Sequence, residues 1–228
     1  MKRFVLLDLD DTIYDFHKAE TVALSKTLET LGLEPRSEVL ARYSEINAAQ
    51  WRLLEQGKLT REQVKERRYQ LLFEEFGIAV DPILAARTYE RNLSIGHYFV
   101  DGAPELLATL SRDYQLYLVS NGSTAIQMPR IASGDIAQYF DGIFISEDVG
   151  YNKPDKAYFD AVFAAIPQFE KEQAVIIGDS LSSDILGGKT AGITTVWFCP
   201  FAQADKETIC PDYVISRLSE LPHLLKRL

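Results

Sequence analysis

The sequence has few cysteines and histidines, and it has no long apolar run. Cys199 and Cys210 are its two cysteines, each followed by proline, and the chain contains 3 histidines. No CxxC pattern or Cys/His cluster has the spacing of a zinc site, so we interpret both cysteines as free thiols of a reducing compartment. No stretch approaches the roughly 18 apolar residues of a membrane span, and the apolar run from Phe4 to Leu7 is too short for a signal peptide. We therefore expect a soluble, cytoplasmic protein.

Positive charge is also scarce. The 228 residues include 24 Lys and Arg against 33 Asp and Glu, a formal net charge of −9. Nucleic acids and anionic membranes reward clustered basic residues, so neither a nucleic acid polymer nor a membrane is an expected partner. A small phosphorylated metabolite stays compatible, because a bound divalent cation can reverse the local sign of an acidic site. A monomer and a homodimer are both left open.

Short apolar runs that end at polar residues recur along the chain. The first is Phe4 to Leu9, and later runs end near residues 119, 145, 177 and 198. Helical patterns at 103–112, 157–165 and 184–191 lie between the later runs. Strands that alternate with helices predict a parallel sheet covered on both faces, and continuous apolar strands are typical of such buried sheets. The expected fold class is therefore α/β, with a doubly wound parallel sheet.

The stretch from residue 17 to residue 92 has a different pattern. It contains no convincing strand, its apolar residues recur at helical spacing, and Gly32, Gly57 and Gly77 stand where helices would end. We therefore expect a helical domain at 17–92 inserted into an α/β core. That core is then discontinuous and consists of residues 1–16 and 93–228.

Several aspartates follow the apolar runs. In an open parallel sheet, ligands bind beyond the carboxyl ends of the strands. Asp8 and Asp10 are two residues apart, so an extended chain directs both side chains to the same side. Asp179 follows the fourth run, and Asp184 is expected to start the next helix. Carboxylates that converge in this way cannot all stay ionised without a cation, and oxygen ligands favour Mg²⁺. Each aspartate alone is equally typical of a turn or helix cap.

Lysine and serine complete the candidate site. Lys153 precedes Pro154 and is a candidate point charge against phosphate or against the aspartates, although a lone lysine is usually a surface residue. Ser120 ends the second run, and its hydroxyl, with the backbone N–H groups of Asn121 and Gly122, is a candidate for binding phosphate oxygens. The alternative is a plain strand-to-helix turn.

These pieces, in this order, resemble the haloacid dehalogenase (HAD) superfamily. The residues that carry the resemblance are Asp8-Leu9-Asp10-Asp11-Thr12, Ser120, Lys153, and Gly178-Asp179 with Asp184. The resemblance implies a Rossmann-like core with a helical C1-type cap, and a magnesium-dependent phosphatase. By resemblance, Asp8 attacks phosphorus and forms an aspartyl-phosphate, and Asp10 acts as general acid and then as general base. The implied metal ligands are Asp8, the backbone carbonyl of Asp10, and Asp179, with Asp184 binding directly or through water.

Stretches of the helical segment and of the core carry a closer resemblance, to the YjjG/YfnB type of pyrimidine 5′-nucleotidases. They are residues 46–51, 55–60 and 68–69 in the helical segment, and 146–150, 178–180 and 184–188 in the core. The resemblance implies hydrolysis of pyrimidine nucleoside 5′-monophosphates, and it makes Asn47, Trp51 and Arg68 candidate substrate contacts. Trp51 at helical spacing from Leu54 is more often a core residue than a platform for a base, and either Arg67 or Arg68 is expected to be solvated surface.

One segment departs from related chains. Gln127-Met128-Pro129-Arg130 lies where they usually keep a helix, and Pro129 is expected to kink or start a helix there. Because the segment lies past the Ser120 loop, we expect it to have little effect on the chemistry.

Other functions within and beyond this fold stay open. The substrate could be a sugar phosphate or another small phosphometabolite, and a phosphomutase would need a cap that binds a sugar bisphosphate. A 2-haloacid dehalogenase usually lacks the second aspartate, so Asp10 and Asp11 argue against it. A phosphoacceptor domain that does not turn over is about half this length and has no cap.

Overall fold

The structure is a computed structural model and describes residues 2–200 and 209–228. The strands are β1 (Phe4–Leu7), β2 (Gln115–Ser120), β3 (Gly142–Ile145), β4 (Ala174–Gly178), β5 (Thr194–Phe198) and β6 (Tyr213–Ile215). The α-helices are α1 (Phe16–Thr30), α2 (Ser37–Glu55), α3 (Arg61–Phe76), α4 (Pro82–Leu93), α5 (Ala103–Leu110), α6 (Thr124–Ser133), α7 (Ser146–Val149), α8 (Lys156–Ala165), α9 (Leu186–Ala191) and α10 (Leu221–Leu225). A π-helical turn, Leu181–Ile185, precedes α9.

The six strands form one parallel sheet in the order β3-β2-β1-β4-β5-β6. The chain builds outwards from β1 to β2 and β3 and then crosses to β4 on the other side of β1. Beside β1 the strand order therefore reverses, and the crevice at such a point is where open α/β sheets bind ligands. The predicted α/β doubly wound sheet is confirmed. Strand β6 was not predicted, because it is short and its first two residues are exposed.

The central strand is buried on both faces. Side chains alternate along a strand, so Val5 and Leu7 pack in one cluster with α5 and α10. Phe4 and Leu6 point to the opposite face and pack in a second cluster with α8. All four side chains are 0% exposed, which explains why this strand is an uninterrupted apolar run in the sequence.

The chain divides into two compact units. The core unit is Met1–Asp15 with His97–Leu228, and it contains the sheet. The helical unit is Phe16–Gly96 and contains α1 to α4, with α1 packed on α4 and α3 packed on both α2 and α4. The domain boundary expected after residue 92 falls inside α4, one residue before that helix ends. In the described parts of the chain, no helix has both the length and the apolar character needed to cross a membrane.

Sequence signals define the ends of α3. Thr60 accepts a hydrogen bond from the backbone N–H of Gln63, and the side chain of Gln63 accepts one from the N–H of Thr60, which makes a capping box. At the other end, Gly77 has a left-handed conformation with φ 63°, which ends helices because glycine carries no Cβ penalty there. Helical periodicity and end signals thus agree in this unit.

Two helical predictions in the core unit need correction. Helix α6 begins at Thr124, so Pro129 lies inside it and does not start it. The helix extends to Ser133 and places Gln127 and Arg130, three residues apart, on one face. Asp184 does not start a helix either, since it lies within the π-helical turn, whose cap is Ser180.

Candidate active site

Asp8 is the first residue after β1. Its backbone N–H donates to the carbonyl of Ile177 at 2.9 Å, which continues the pairing of β1 with β4. The chain then turns back on itself, with Asp11 at φ 56° and the N–H of Tyr14 donating to the carbonyl of Leu9 at 2.8 Å. Aspartate tolerates this left-handed conformation better than most residues. The turn therefore holds Asp8 at the carboxyl end of the central strand, beside the strand-order reversal.

Lys153 lies against Asp8. Its Nζ is 2.6 Å from Asp8 Oδ1, 2.6 Å from Asp184 Oδ1 and 2.8 Å from the carbonyl oxygen of Val119. An ammonium group has three donors, and all three are used. The residue is 1% exposed, so the alternative of an ordinary surface lysine is wrong. Burial alone would lower the pKa of Lys153, but Asp184 and Asp8 outweigh it and raise that pKa, so the ammonium stays charged.

Asn121 holds the backbone of Lys153. Its Oδ1 accepts from the Lys153 N–H and its Nδ2 donates to the Lys153 carbonyl, both at 2.8 Å. The Lys153–Pro154 peptide bond is cis. Asn121 was predicted to bind substrate through its backbone N–H, and the structure shows that both ends of its side-chain amide place the lysine.

Asp8, Asp179 and Asp184 form a group of three carboxylates. Each offers an oxygen, and the three oxygens lie within 4.8 Å of one another. Trp197 Nε1 donates to the backbone carbonyl of Asp179 at 2.7 Å. Asp184 Oδ2 accepts from the N–H of Ser180 at 3.2 Å, while its Oδ1 binds Lys153. Contacts with Trp197, Ser180 and Lys153 therefore hold Asp179 and Asp184 in place.

Gly178 is needed for the position of Asp184. A Cβ on this residue would overlap the Asp184 carboxylate, which packs against the glycine. Replacing that glycine would push Asp184 away from Lys153 and from the other two carboxylates. The Gly-Asp pair after β4 is thus explained by close packing as well as by ligand chemistry.

The carboxylate group is short of positive charge. Burial raises the pKa of Asp8 to about 8, with Lys153 opposing the shift and Asp184 adding to it. Burial also raises the pKa of Asp179, and the neighbouring Asp8 and Asp184 carboxylates raise it further. One ammonium serves three carboxylates, two of them buried and that of Asp179 half-buried, so a divalent cation would supply the missing charge. The oxygen-only donor set suits Mg²⁺.

Asp10 does not join this group through its carboxylate. Its Oδ1 accepts from Arg130 Nη1 at 2.6 Å, and its Oδ2 accepts from Gln127 Nε2 at 2.7 Å. It is near enough to Asp8 for its charge to contribute to the raised pKa of Asp8. Residues 127–130 were expected to have little effect on the chemistry, yet two of them bind the predicted acid/base, Asp10. The sequence signal for them was the spacing of two polar residues three positions apart on one helix face.

Ser120 and Gly122 are also tied to α6. Ser120 is 1% exposed, and its Oγ accepts from Gln127 Nε2 at 3.0 Å. The N–H of Gly122 donates to Ser146 Oγ at 3.2 Å, so it is not directed at a ligand as predicted. A Cβ on Gly122 would lie 2.8 Å from the Gln127 side chain, and glycine at this position therefore makes room for Gln127.

The three predicted contacts in the helical unit have different surroundings. Arg68 is 3% exposed, donates to Asn47 Oδ1 at 3.0 Å, and lies with its guanidinium carbon 4.7 Å from the ring centroid of Tyr89. Asn47 in turn donates to Glu20 Oε1 at 2.7 Å. Trp51, on α2, is half-buried, and Arg67 is the exposed member of the arginine pair. Asn47 and Arg68 thus belong to one buried network within this unit.

Known proteins resemble this chain over nearly its whole length. The model for haloacid dehalogenase-like hydrolases matches residues 5–198. The HAD-hydrolase YfnB of Bacillus subtilis (strain 168) is 41% identical over 227 residues, which cover 99% of this chain and 97% of YfnB. The pyrimidine 5′-nucleotidase PynA of Streptococcus pneumoniae (strain ATCC BAA-255 / R6) is 36% identical over 220 residues, covering 96% and 93%. The pyrimidine 5′-nucleotidase YjjG of Escherichia coli (strain K12) is 27% identical over 222 residues, covering 97% of each chain.

A solved structure agrees with these relatives. The match is the crystal structure of Bacillus subtilis YfnB bound to magnesium, a structure that reveals interdomain movement. It superposes on this chain with a TM-score of 0.94 at 41% identity, and the match covers 98% of each chain. The predicted resemblance to HAD hydrolases of the YjjG/YfnB type is confirmed by the family model and by these three relatives. With a match from the first strand to the fifth and a relative this similar along the whole chain, the protein belongs to the haloacid dehalogenase-like hydrolase family.

Proposed function

We propose that this protein is a magnesium-dependent phosphomonoester hydrolase that forms an aspartyl-phosphate on Asp8 and acts on pyrimidine nucleoside 5′-monophosphates. The observation that carries the proposal is the position of Asp8. It directly follows the central strand, it binds the buried ammonium of Lys153 at 2.6 Å, and it belongs to a group of three carboxylates. A carboxylate oriented by a fixed cation at the ligand-binding end of a parallel sheet is arranged to act as a nucleophile.

In the first half-reaction, an Asp8 oxygen forms a bond to phosphorus while the bond from phosphorus to the ester oxygen breaks. Asp10 gives a proton to the departing alkoxide. Lys153 neutralises part of the charge on the phosphoryl group, and the Ser120 hydroxyl donates to one of its oxygens. In the second half-reaction, Asp10 takes a proton from water as the water oxygen bonds to phosphorus, and Asp8 leaves as a carboxylate.

Mg²⁺ fits the charge and the donor atoms of this site. Asp8, Asp179 and Asp184 would hold it, together with the backbone carbonyl of Asp10, and it would supply positive charge to the phosphoryl oxygens. The raised pKa of Asp8, about 8 without a metal ion, supports the need for that charge, because a protonated carboxyl group is a poor nucleophile. The relative YfnB has been crystallised with magnesium bound.

The substrate class is supported by two relatives. PynA and YjjG, at 36% and 27% identity, are both pyrimidine 5′-nucleotidases and are matched over nearly their whole length. We assign the helical unit the part of the family's cap, which selects the substrate. Of its predicted contacts, Trp51 is half-buried and suits a base or sugar, whereas Asn47 and Arg68 are bound to each other and fix the shape of the unit.

A substrate panel with active-site variants tests the proposal. Purified protein is assayed with pyrimidine and purine nucleoside 5′-monophosphates and with sugar phosphates, in Mg²⁺ and in EDTA. We expect the highest kcat/KM for a pyrimidine nucleotide, no turnover in EDTA, and no turnover by Asp8→Asn at normal folding. A preference for sugar phosphates would overturn the nucleotide assignment alone. Turnover by Asp8→Asn at the wild-type rate would overturn the covalent mechanism.

A further inference from the structure

We propose that Arg130 and Gln127 are positioning residues that orient Asp10 and Ser120 for phosphoryl transfer. This inference rests on the proposed function and deepens it. Neither residue is in the sequence motifs that resemble the family. Both contact Asp10, which lies more than a hundred residues earlier in the chain. Asp10 and Gln127 are 117 positions apart, and Asp10 and Arg130 are 120 apart.

Hydrogen-bond chemistry determines the direction of every bond in this cluster. Arg130 Nη1 donates to Asp10 Oδ1 at 2.6 Å and to Gln127 Oε1 at 2.8 Å. A guanidinium group has donors only, so the Gln127 amide must present its oxygen to Arg130. Its NH₂ group then faces the other way, and it donates to Asp10 Oδ2 at 2.7 Å and to Ser120 Oγ at 3.0 Å.

For Ser120, the consequence is a defined donor role. A hydroxyl group has a single hydrogen. Because Ser120 Oγ accepts from Gln127, its hydrogen is free to point at a different acceptor, and a phosphoryl oxygen is the acceptor that the proposed reaction supplies. If the Gln127 amide were reversed, its oxygen would compete for that hydrogen. Arg130 prevents the reversal.

For Asp10, the consequence is a defined orientation. Both carboxylate oxygens are bound, one by each residue of α6, so rotation of the carboxylate is restricted. A general acid must lie within hydrogen-bond reach of the leaving oxygen, and a misplacement of about 1 Å can cost on the order of 100-fold in rate. Holding Asp10 by two donors from a helix restricts such misplacement.

The surrounding structure holds the two positioning residues in place. Arg130 is 0% exposed, its guanidinium carbon lies 5.2 Å from the ring centroid of Tyr14, and its backbone carbonyl accepts from the Tyr14 hydroxyl at 3.1 Å. Gly122 leaves room for the Gln127 side chain, and Gly134 leaves room for the Tyr14 hydroxyl. Tyr14 closes the turn that carries Asp10. Helix α6 and the Asp10 turn therefore pack as a single assembly.

Leaving-group dependence distinguishes positioning from a merely structural role. The quantity kcat/KM covers the steps up to departure of the leaving group, and general-acid help matters most for a basic leaving group. The variants are Arg130→Lys, Arg130→Met and Gln127→Met, each measured with a nucleoside 5′-monophosphate, which releases an alkoxide, and with 4-nitrophenyl phosphate, which releases a stabilised phenolate. Arg112→Met, an exposed arginine in the same unit, is the matched control.

We expect Arg130→Met and Gln127→Met to lower kcat/KM on the alkyl ester by about 10- to 100-fold. On the aryl ester, the factor by which kcat/KM falls should be roughly ten times smaller. Arg130→Lys, which keeps one charged donor, should recover part of the loss. Equal losses on both esters, or losses no larger than for Arg112→Met, would overturn the inference. If Arg130→Met does not fold by circular dichroism, Gln127→Met, a neutral replacement of similar size, decides the outcome. A wild-type protein inactive on both esters would instead refute the proposed function.

Discussion

Replacing Lys153 by methionine removes the protein's own cation from the three carboxylates. Lys153 is 1% exposed and lies 2.6 Å from both Asp8 and Asp184. Methionine keeps an unbranched apolar side chain of similar length, so the change removes charge and hydrogen-bond donors with little loss of packing. In the absence of Mg²⁺, the buried carboxylates are left with their mutual repulsion.

The size of the effect follows from these contacts. At the 2.6 Å between Lys153 and Asp184 and an effective dielectric constant of about 20, two opposite unit charges attract by about 6 kcal/mol. The cost of taking the ions out of water cancels much of this attraction, and removing one partner of a buried pair typically costs about 3–5 kcal/mol. Both pairs share one ammonium, so we expect Lys153→Met to lower the free energy of unfolding by about 3–5 kcal/mol at pH 7.

Urea unfolding in EDTA measures this difference. The matched control is Lys189→Met, because Lys189 lies 2.9 Å from Asp212 in an ion pair whose side chains are 38% and 39% exposed. Surface pairs contribute about 0–1 kcal/mol. The Lys153→Met deficit should shrink as the pH falls from 8 to 5, because the raised pKa of Asp8, about 8, means that its carboxyl group becomes protonated in this window and no longer repels its neighbours. A Lys153→Met protein as stable as Lys189→Met at pH 7 would refute the electrostatic account of this site.

Three further predictions concern the cation, a glycine and the helical unit. In EDTA, the free energy of unfolding of the wild type should fall as the pH rises from 5 to 8. The pKa of Asp8 is about 8 in the folded protein and about 3.9 in the unfolded chain, so the folded state binds the extra proton in this window and loses it as the pH rises. Urea unfolding should show a loss on the order of 4 kcal/mol, and a flat profile would contradict this prediction. Saturating Mg²⁺ should flatten the same profile. Gly178→Ala should displace Asp184 and weaken Mg²⁺ binding by about 10- to 100-fold in calorimetry, and unchanged affinity would show that Asp184 does not help to hold the ion. Arg68→Met should lower the free energy of unfolding by about 3 kcal/mol. Its control, Arg67→Met, should keep a free energy of unfolding within about 0.5 kcal/mol of the wild type. A stable Arg68→Met protein with a raised KM would instead make Arg68 a substrate contact.

The sheet was predictable where strands are buried on both faces. Strands β1 and β4 are buried along their whole length, and β2 and β5 along most of it, which explains why they are apolar runs in the sequence. The end of each run marks the same edge of a parallel sheet, which is why Asp8, Lys153 and Asp179 could be expected to converge. Strand β6 has two exposed residues at the edge of the sheet, and such a short strand has no apolar pattern to detect.

Side-chain partners across long separations were not predictable. In the α6 segment, Pro129 is visible in the sequence, but nothing in a helix's own periodicity indicates that its polar face meets a carboxylate 117 positions earlier. Asn121 was expected to bind substrate through its backbone N–H, and the pairing of its side chain with the backbone of Lys153 depends on the positions of two separate loops. In the helical unit, periodicity indicated helices, but the burial of Arg68 depends on aromatic neighbours from other helices.

The central claim is that Asp8 carries the phosphoryl group during turnover. Borohydride reduces an acyl phosphate to an alcohol, so an aspartyl-phosphate at residue 8 would be converted to homoserine. The measurement is peptide mass spectrometry of the Asp10→Asn variant, quenched with borohydride during turnover of a nucleoside 5′-monophosphate in Mg²⁺. The account predicts homoserine at position 8 only when substrate and Mg²⁺ are both present. Turnover that leaves residue 8 as aspartate, with the phosphoryl group on a different residue, would contradict it.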